Sequence, residues 1–358
     1  MLNNKFFIKV KLYIIFFYIV LFINLIFSTN TKADTFKITE LEISEPFELG
    51  FDKNKVLDRG FIKAFKELLS MISTSDEKKK LGSTSLNSIK SLIDSFTVSD
   101  EKFIKNTYFA NLDVNFNKEL TLRFFEKKNV FPSIPKEKTV LLIPVLFDIS
   151  KDQIYLFSNN KFYQSWNKNI KRFELLNYVL PSEDIEDLNN LIQNKDEIED
   201  FDFKSITTKY DLDDYIITII FYDNKDIKIL SKININNSLK LNNLSFENVN
   251  ISNKKDFNIV LNSTKKVYEN YWKNLNKINT SIKLPITIKV NSSSYLKILN
   301  LEKNLSNLDL VSSYSIDKFN NNNTFFKVIY NGSPKKFIDD MKDKNTDIFL
   351  EDDVWTIK

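Results

Sequence analysis

Twelve carboxylates fall between residues 183 and 214, and they are the densest group of side chains that could do chemistry in this chain. The runs are Glu183, Asp184, Glu186 and Asp187; Asp196, Glu197, Glu199, Asp200 and Asp202; and Asp211, Asp213 and Asp214. Carboxylates suit a hard cation, but a calcium loop needs roughly six to eight oxygens and a glycine for its sharp turn. No glycine interrupts these runs. The pattern therefore favours a solvated acidic face and helix starts, and we predict no metal site.

Two carboxylates alone are enough for a glycoside hydrolase, with one as acid and the other as base or nucleophile. The spacing of the acids in this chain selects no such pair. Trp166, Tyr155 and Tyr163 could line a sugar-binding cleft, but buried packing accounts for large aromatics more simply. We therefore assign no catalytic residue. A carboxylate-based hydrolase acting on an envelope polymer stays open as the alternative.

The residue types that the chain lacks exclude whole mechanisms. It contains neither His nor Cys, and only 4 Gly. A Ser-His-Asp triad, a Cys nucleophile, a disulfide and a zinc site of thiolates or imidazoles are therefore impossible. The sequence also has no glycine-rich phosphate loop of either common spacing. We predict no cofactor.

The amino-terminal segment has the layout of a secretory leader. Lys5, Lys9 and Lys11 precede an apolar run from residue 12 to residue 27, and no acid occurs before Asp34. Small residues at Thr31 and Ala33 predict cleavage after Ala33, which gives a signal segment over residues 1–33 and an exported, for instance periplasmic, protein. The alternative is an uncleaved helix that anchors the protein in the membrane, because the run is near the lower length limit for a span.

The net charge of the chain comes from the leader. The whole sequence has 51 basic and 47 acidic residues, and four of the bases are Lys5, Lys9, Lys11 and Lys32. Without them the balance is 47 against 47, so the rest of the chain is formally neutral. A nucleic-acid partner is not expected, because it would need a surplus of Lys and Arg.

Hydrophobic periodicity divides the remaining chain into three domains and a linking helix, in an α+β arrangement. A first α+β domain covers residues 34–135. Its predicted elements are a strand over 36–43, a helix with Val56, Phe61, Phe65 and Ile72 on one face, a second helix whose stripe runs from Leu86 to Phe96, an alternating strand over 108–116 and a short helix that Asn117 caps.

A central domain with an α/β-type sheet is predicted over residues 136–252. Its strand over 140–147 is apolar without alternation, which indicates a sheet covered on both faces. Further strands are predicted over 154–157, 215–222 and 227–235, with a helix over 185–192. A long helix then forms the linking segment, residues 253–283.

The last domain, residues 284–358, has the element order of a ferredoxin-like, split βαβ fold. The order is strand, helix, strand, strand, helix, strand, which predicts four strands with two helices on one face. Gly332, Ser333 and Pro334 signal the start of its second helix. In the strand before that helix, Phe326, Val328 and Tyr330 are expected to point inward, and Phe325 and Lys327 outward.

Several of these stretches occur together in a known family. They are the strand over 108–116 with its capped helix, the apolar strand over 139–145, Trp166 ahead of residues 180–188, and the carboxy-terminal segment 354–357. In combination they resemble the proteobacterial exported family described as domain of unknown function two-zero-six-six. The resemblance covers nearly the whole chain after the leader. It implies an envelope protein without an assigned activity and brings no functional residues with it.

These observations together predict an exported envelope protein that is not an enzyme. We expect a binding or assembly component that contacts other envelope proteins, because fold class alone carries no activity and no residue pattern indicates one. Contact with a membrane is expected only through the leader, if it stays uncleaved.

Overall fold

The computed structural model describes residues 36–168, 170–351 and 354–357. The predicted leader, its cleavage position and the alternative membrane anchor lie outside the described residues. Three successive stretches of chain form three separate sheets, each with helices packed against it, so the fold is α+β and multidomain as predicted. Contacts between these stretches join the chain from Phe36 onwards into one compact unit.

The first sheet is antiparallel, in the order β1-β3-β2. Its elements are β1 (Lys37–Pro46), α1 (Lys53–Ile72), α2 (Ser75–Leu81), α3 (Leu86–Lys90), β2 (Ile93–Ile104), β3 (Thr107–Phe116) and α4 (Lys118–Lys127). The apolar face of α1 packs in the same core as the buried residues of β1 and β3. The helix lies so close to the sheet that a methyl group at Gly60 would come within 2.6 Å of Leu112 Cδ2.

The helix predicted from Leu86 to Phe96 is wrong beyond Lys90. Ser85 caps a helix of five residues, and the chain then extends into β2, with Phe96 49% exposed. Lys105 and Asn106 both have positive φ, as the two central residues of a tight hairpin turn require. Pairing of β2 with β3 along the hairpin supplies backbone hydrogen bonds that outweigh the weak helical periodicity.

The second sheet is mixed, and β4 is one of its inner strands. Its strands are β4 (Lys138–Asp148), β5 (Gln153–Tyr155), β6 (Leu176–Val179), β7 (Tyr215–Asp223), β8 (Asp226–Ile235) and β9 (Ser238–Phe246), in the order β5-β4-β7-β8-β9, with β6 also pairing with β4. Between them lie α5 (Lys161–Ser165), α6 (Ile185–Gln193) and α7 (Lys204–Thr207). Leu142 packs in a core on one face of the sheet and Ile143 in a core on the other, which confirms that β4 is covered on both sides.

The helix predicted as a linker covers one face of the second sheet. It is α8 (Lys254–Leu275), and Val260, Tyr268 and Trp272 pack in the core that contains Val140 and Leu142. Trp272 donates its Nε1 hydrogen to the carbonyl oxygen of Lys136 at 2.5 Å. In the part of the chain that the structure describes, no helix is long and apolar enough to cross a membrane.

The third sheet keeps the predicted element order up to its last helix. Its elements are β10 (Leu284–Asn291), α9 (Tyr295–Ser306), β11 (Val311–Phe319), β12 (Asn323–Tyr330), α10 (Pro334–Lys342), β13 (Ile348–Glu351) and β14 (Val354–Ile357). Ser333 caps α10 as expected. Phe326, Val328 and Tyr330 are buried with residues of both helices, which confirms the predicted inward face. On the other face Lys327 is exposed, whereas Phe325 is half-buried.

The sheet has five strands, whereas the sequence predicts four. The carboxy-terminal segment folds back on itself, so β13 and β14 form an antiparallel hairpin. The strand order is β11-β12-β10-β14-β13, and β14 lies parallel to β10.

Candidate anion-binding cavity

Part of the acidic stretch at residues 183–214 is bound by other groups of the protein, and the rest is exposed to solvent. Asp184 caps α6 by accepting hydrogen bonds from the backbone N–H of Glu186 at 2.8 Å and of Asp187 at 3.4 Å. Lys209 Nζ donates to both Asp184 and Asp187, at 2.7 Å each. Asp214 pairs with Lys138. Among the described residues, no group of three or more acids is arranged to hold a metal ion.

The three aromatics considered for a cleft do not form one. Trp166 is fully buried, stacks on Tyr268 with ring centroids 6.0 Å apart and meets Tyr178 edge-on at 5.7 Å. Tyr163 donates its hydroxyl hydrogen to the Pro181 carbonyl oxygen at 2.8 Å. Tyr155 is half-buried against the core around Val140 and Leu142. The aromatics therefore serve mainly in packing.

A cavity of about 520 Å³ lies where α1, α2, the segment around Phe173 and α8 meet. Seven lysines and two glutamates line it: Lys66, Lys78, Lys79, Lys171, Lys265, Lys266, Lys273, Glu174 and Glu269. The other lining residues include Ser70, Ser73, Ser75, Phe173 and Asn270. The lining therefore carries a surplus of five positive charges when all of these groups are ionised. An adjoining cavity, lined by Lys63, Lys66, Lys78, Arg172 and Glu67 among others, shares two of these lysines.

Three of the residues that line the cavity lie on one face of the helix α8. Lys265, Glu269 and Lys273 follow one another at intervals of four residues on α8, so their side chains share one face of the helix. All three are at most 7% exposed. Thr74 and Glu77 form a capping box that starts α2, and the N–H of Ser75 donates to Asn270 Oδ1 at 3.0 Å. These bonds fix α2 against α8 and aim Lys78 at the cavity.

In the buried floor of the cavity, the charges of the lysines are balanced by the charges of neighbouring acids. Glu269 accepts hydrogen bonds from the backbone N–H of Leu175 at 3.1 Å and of Leu176 at 2.9 Å. Burial raises the pKa of Glu269, against the opposite effect of these N–H groups and of the Lys273 charge. Lys265 lies 3.5 Å from Glu174. The two acids thus offset the two lysines buried beside them.

At the mouth of the cavity, the positive charges of the lysines are not balanced by acids. Lys78 donates to Ser70 Oγ, while Lys66 and Lys171 are exposed and form no ion pair with an acid in the described ranges. Burial, and then the charges of Lys171 and Lys66, lower the pKa of Lys78. All three lysines line the same cavity. We call Lys66, Lys78 and Lys171 the lysine triad.

Ser73 adds an unused polar group to the same cavity. The residue is only 3% exposed, yet its hydroxyl has no hydrogen-bond partner in the protein. Its backbone N–H is used, because it donates to the Leu69 carbonyl oxygen at 3.0 Å at the end of α1. A buried hydroxyl without a partner is costly in free energy, so a group that lines a cavity in this state is suited to a ligand.

Nothing in the sequence patterns singles out the cavity. The i, i+4 spacing of Lys265, Glu269 and Lys273 within an otherwise apolar helical face is the one signal that could have found part of it. No known protein-family model matches the chain, and a search of curated proteins finds none similar to it. The resemblance to the exported family therefore stays a prediction.

Proposed function

We propose that this protein is a non-catalytic binding component of the cell envelope and that it binds an anionic ligand in the lysine-lined cavity. The observation that carries the proposal is the lysine triad, whose three positive charges line a cavity and form no ion pair with an acid among the described residues, while the lining acids Glu174 and Glu269 are engaged by Lys265 and by backbone N–H groups. Unpaired Ser73 is a second, independent indication.

A bound anion relieves two costs that the free cavity carries. Like charges close together repel one another, and an anion between them replaces that repulsion by charge-assisted hydrogen bonds, which are about twice as strong as neutral ones. The Ser73 hydroxyl gains an acceptor at the same time. Because the ligand binds only the folded chain, it also raises the stability of the fold by mass action.

The test is calorimetric titration with inorganic phosphate at low ionic strength, because screening by salt would mask a weak electrostatic site. The unmodified protein should bind phosphate, and Lys171→Ala should weaken binding about tenfold or more, the value of one charge-assisted hydrogen bond. Lys297→Ala is the matched control, since Lys297 is an exposed lysine on α9 outside the cavity lining. Equal affinity of both variants would refute the site.

Export and envelope partners are part of the same proposal and rest on the leader pattern at residues 1–33. Intact-mass measurement on exported material should give a chain that begins at Asp34. Retention of Met1 to Ala33 would indicate the membrane-anchored alternative instead. Crosslinking in the native envelope followed by capture of the protein should identify other envelope proteins, and recovery of the protein without any crosslinked partner would contradict that part.

The alternative, a carboxylate-based hydrolase, has one observation in its favour, because Glu174 and Glu269 line the same cavity. Both are engaged, however, since Glu269 accepts two backbone N–H groups and Glu174 pairs with Lys265. A hydrolase would release reducing ends from envelope polysaccharide and would lose that activity in Glu269→Gln. We expect no release from either protein.

A further inference from the structure

The size of the cavity points to a ligand larger than a single inorganic ion. Cavities of roughly 300 to 1,000 Å³ bury most of the surface of an organic molecule with the dimensions of a drug. At about 520 Å³ the lysine-lined cavity falls inside this range. A phosphate or sulfate ion on the triad would therefore leave much of the space filled by water.

Phe173 gives the cavity an aromatic wall directly beside the triad. Its ring centroid is 5.6 Å from Lys78 Nζ and 5.8 Å from Lys171 Nζ. The ring is half-buried, so part of its surface stays open to the cavity. A ligand whose anionic group lies among the lysines would bring its next atoms onto this ring, where an aromatic or aliphatic group gains by packing.

The number of uncompensated charges sets the charge of the anionic group. Three ammonium groups without acidic partners match a group that carries more than one negative charge and several acceptor oxygens. A phosphate monoester has about −1.5 to −2 charges at neutral pH and three strong acceptor oxygens, whereas a carboxylate or a sulfate ester carries a single charge. With three acceptor oxygens, the phosphate group can also accept a hydrogen bond from the unpartnered Ser73 hydroxyl.

We infer that the ligand is an organic phosphate monoester, whose phosphate lies in the lysine triad and whose aromatic or apolar part packs on Phe173. The inference rests on the proposed function, because it names the ligand class of the same cavity. It specifies both ends of the ligand, and each end depends on a different residue. Replacing Phe173 should remove the preference for phenyl phosphate over inorganic phosphate, whereas replacing Lys171 should weaken the binding of both.

The experiment compares inorganic phosphate, phenyl phosphate and phenyl sulfate by calorimetric titration of the full exported chain. Phenyl phosphate should bind on the order of tenfold more tightly than inorganic phosphate, because the ring adds packing to the same ionic contacts. It should also bind more tightly than phenyl sulfate, which has the same ring and one charge fewer. Phe173→Ala should bring the affinity for phenyl phosphate down to that for inorganic phosphate, so the measured quantity is the ratio of the two affinities in each protein.

The outcomes separate this inference from the proposed function. If inorganic and phenyl phosphate bind equally to the unmodified protein, the organic part is refuted while anion binding stands. If phenyl sulfate binds as tightly as phenyl phosphate, the dianionic group is refuted. If none of the three binds, the proposed function fails with the inference. Phe173→Leu serves as a second variant, since it keeps apolar bulk for folding and still removes the aromatic face.

Discussion

The lysine-lined cavity and the acidic stretch at residues 183–214 carry charge in opposite ways. Twelve acids crowd into one short stretch of sequence, yet the fold spreads them over helix caps, ion pairs and solvent. The seven lysines of the cavity come from positions between 66 and 273, yet the fold brings them together. A high density of charge along the sequence therefore does not indicate a binding site. Charges of one sign that the fold brings together without opposite charges do indicate one.

Local geometry explains the difference. Neighbouring acids at the start of a helix find backbone N–H groups and lysines close by, as Asp184 and Asp187 do with Lys209, so each is satisfied within its own region. The lysine triad has no such local partner, and its members repel one another across elements that packing has forced together. Only in the lysine triad is there an unfavourable repulsion that a bound anion can relieve.

The largest expected effect is on the cavity side of this comparison. Lys78→Glu should lower the affinity for phenyl phosphate on the order of a hundredfold, because it removes one charge-assisted hydrogen bond and adds a repelling carboxylate. Calorimetric titration measures the change. Lys297→Glu makes the same charge change on an exposed surface of α9 and should leave the affinity within about twofold, as expected for a screened distant charge. A similar loss in both variants would mean that net charge, not the cavity, governs binding.

Next in size is the floor of the cavity. Glu269→Leu should reduce the free energy of unfolding by about 2 to 4 kcal/mol, because the N–H groups of Leu175 and Leu176 lose their acceptor in a buried place. Glu269→Gln keeps an acceptor oxygen and should cost clearly less. Urea unfolding of both variants checks this, and equal losses would show that the carboxylate charge, not its accepting oxygens, is what matters there.

A smaller effect should separate two acids of the acidic stretch. Asp187 is 3% exposed and bound by Lys209, whereas Asp196 is exposed. Asp187→Ala should lower the melting temperature by a few degrees, since it leaves the lysine without its buried partner, and Asp196→Ala should not change it. Thermal unfolding followed by circular dichroism measures both. An equal loss of melting temperature in both variants would contradict the view that each acid affects stability through its own burial and its own partner.

The affinity for phenyl phosphate should also depend on pH through Lys78. Burial, Lys171 and Lys66 lower the pKa of Lys78 from its ordinary value of 10.5, and Glu269 and Lys273 face it from α8. The bound dianion needs the protonated lysine, so affinity should fall a few-fold as pH rises through this lowered pKa, before ordinary lysines lose their protons. Lys78→Arg should keep its affinity over the same range, because arginine stays charged. A fall of equal size in that variant would place the titrating group elsewhere.

The smallest expected effect is none at all. Adding a chelator should leave the melting temperature unchanged, because Asp184, Asp187 and Asp214 are engaged by protein groups and the runs at residues 183–214 lack the glycine of a calcium loop. Differential scanning calorimetry with and without chelator measures it, with added calcium as the reverse control. A shift of many degrees would show that the acidic stretch binds a cation. Both regions would then be ligand-binding sites, and the contrast between them would be wrong.

Much of the fold follows from short-range patterns. The helix α1, the alternating strand β3 and the continuous apolar strand β4 were predictable because each pattern covers two turns or more, or a full strand, within one stretch of chain. The strand β2 was not, because its residues alternate weakly and its pairing with β3 comes from the hairpin turn at Lys105 and Asn106. The hairpin β13 and β14 was missed because its register with β10 is set by the completed sheet.

By itself the sequence determined which chemistry the protein can have. Without His or Cys it has no imidazole or thiolate chemistry, and the balance of 47 basic against 47 acidic residues after residue 33 predicts no general attraction for nucleic acid. Only the tertiary structure decided where uncompensated charge lies, because Coulomb interactions and the cost of burial depend on distances and solvent exposure that no sequence spacing fixes. Lys66, Lys171 and Lys273 lie far apart in the chain, and the packing of α1, α2 and α8 makes them one site.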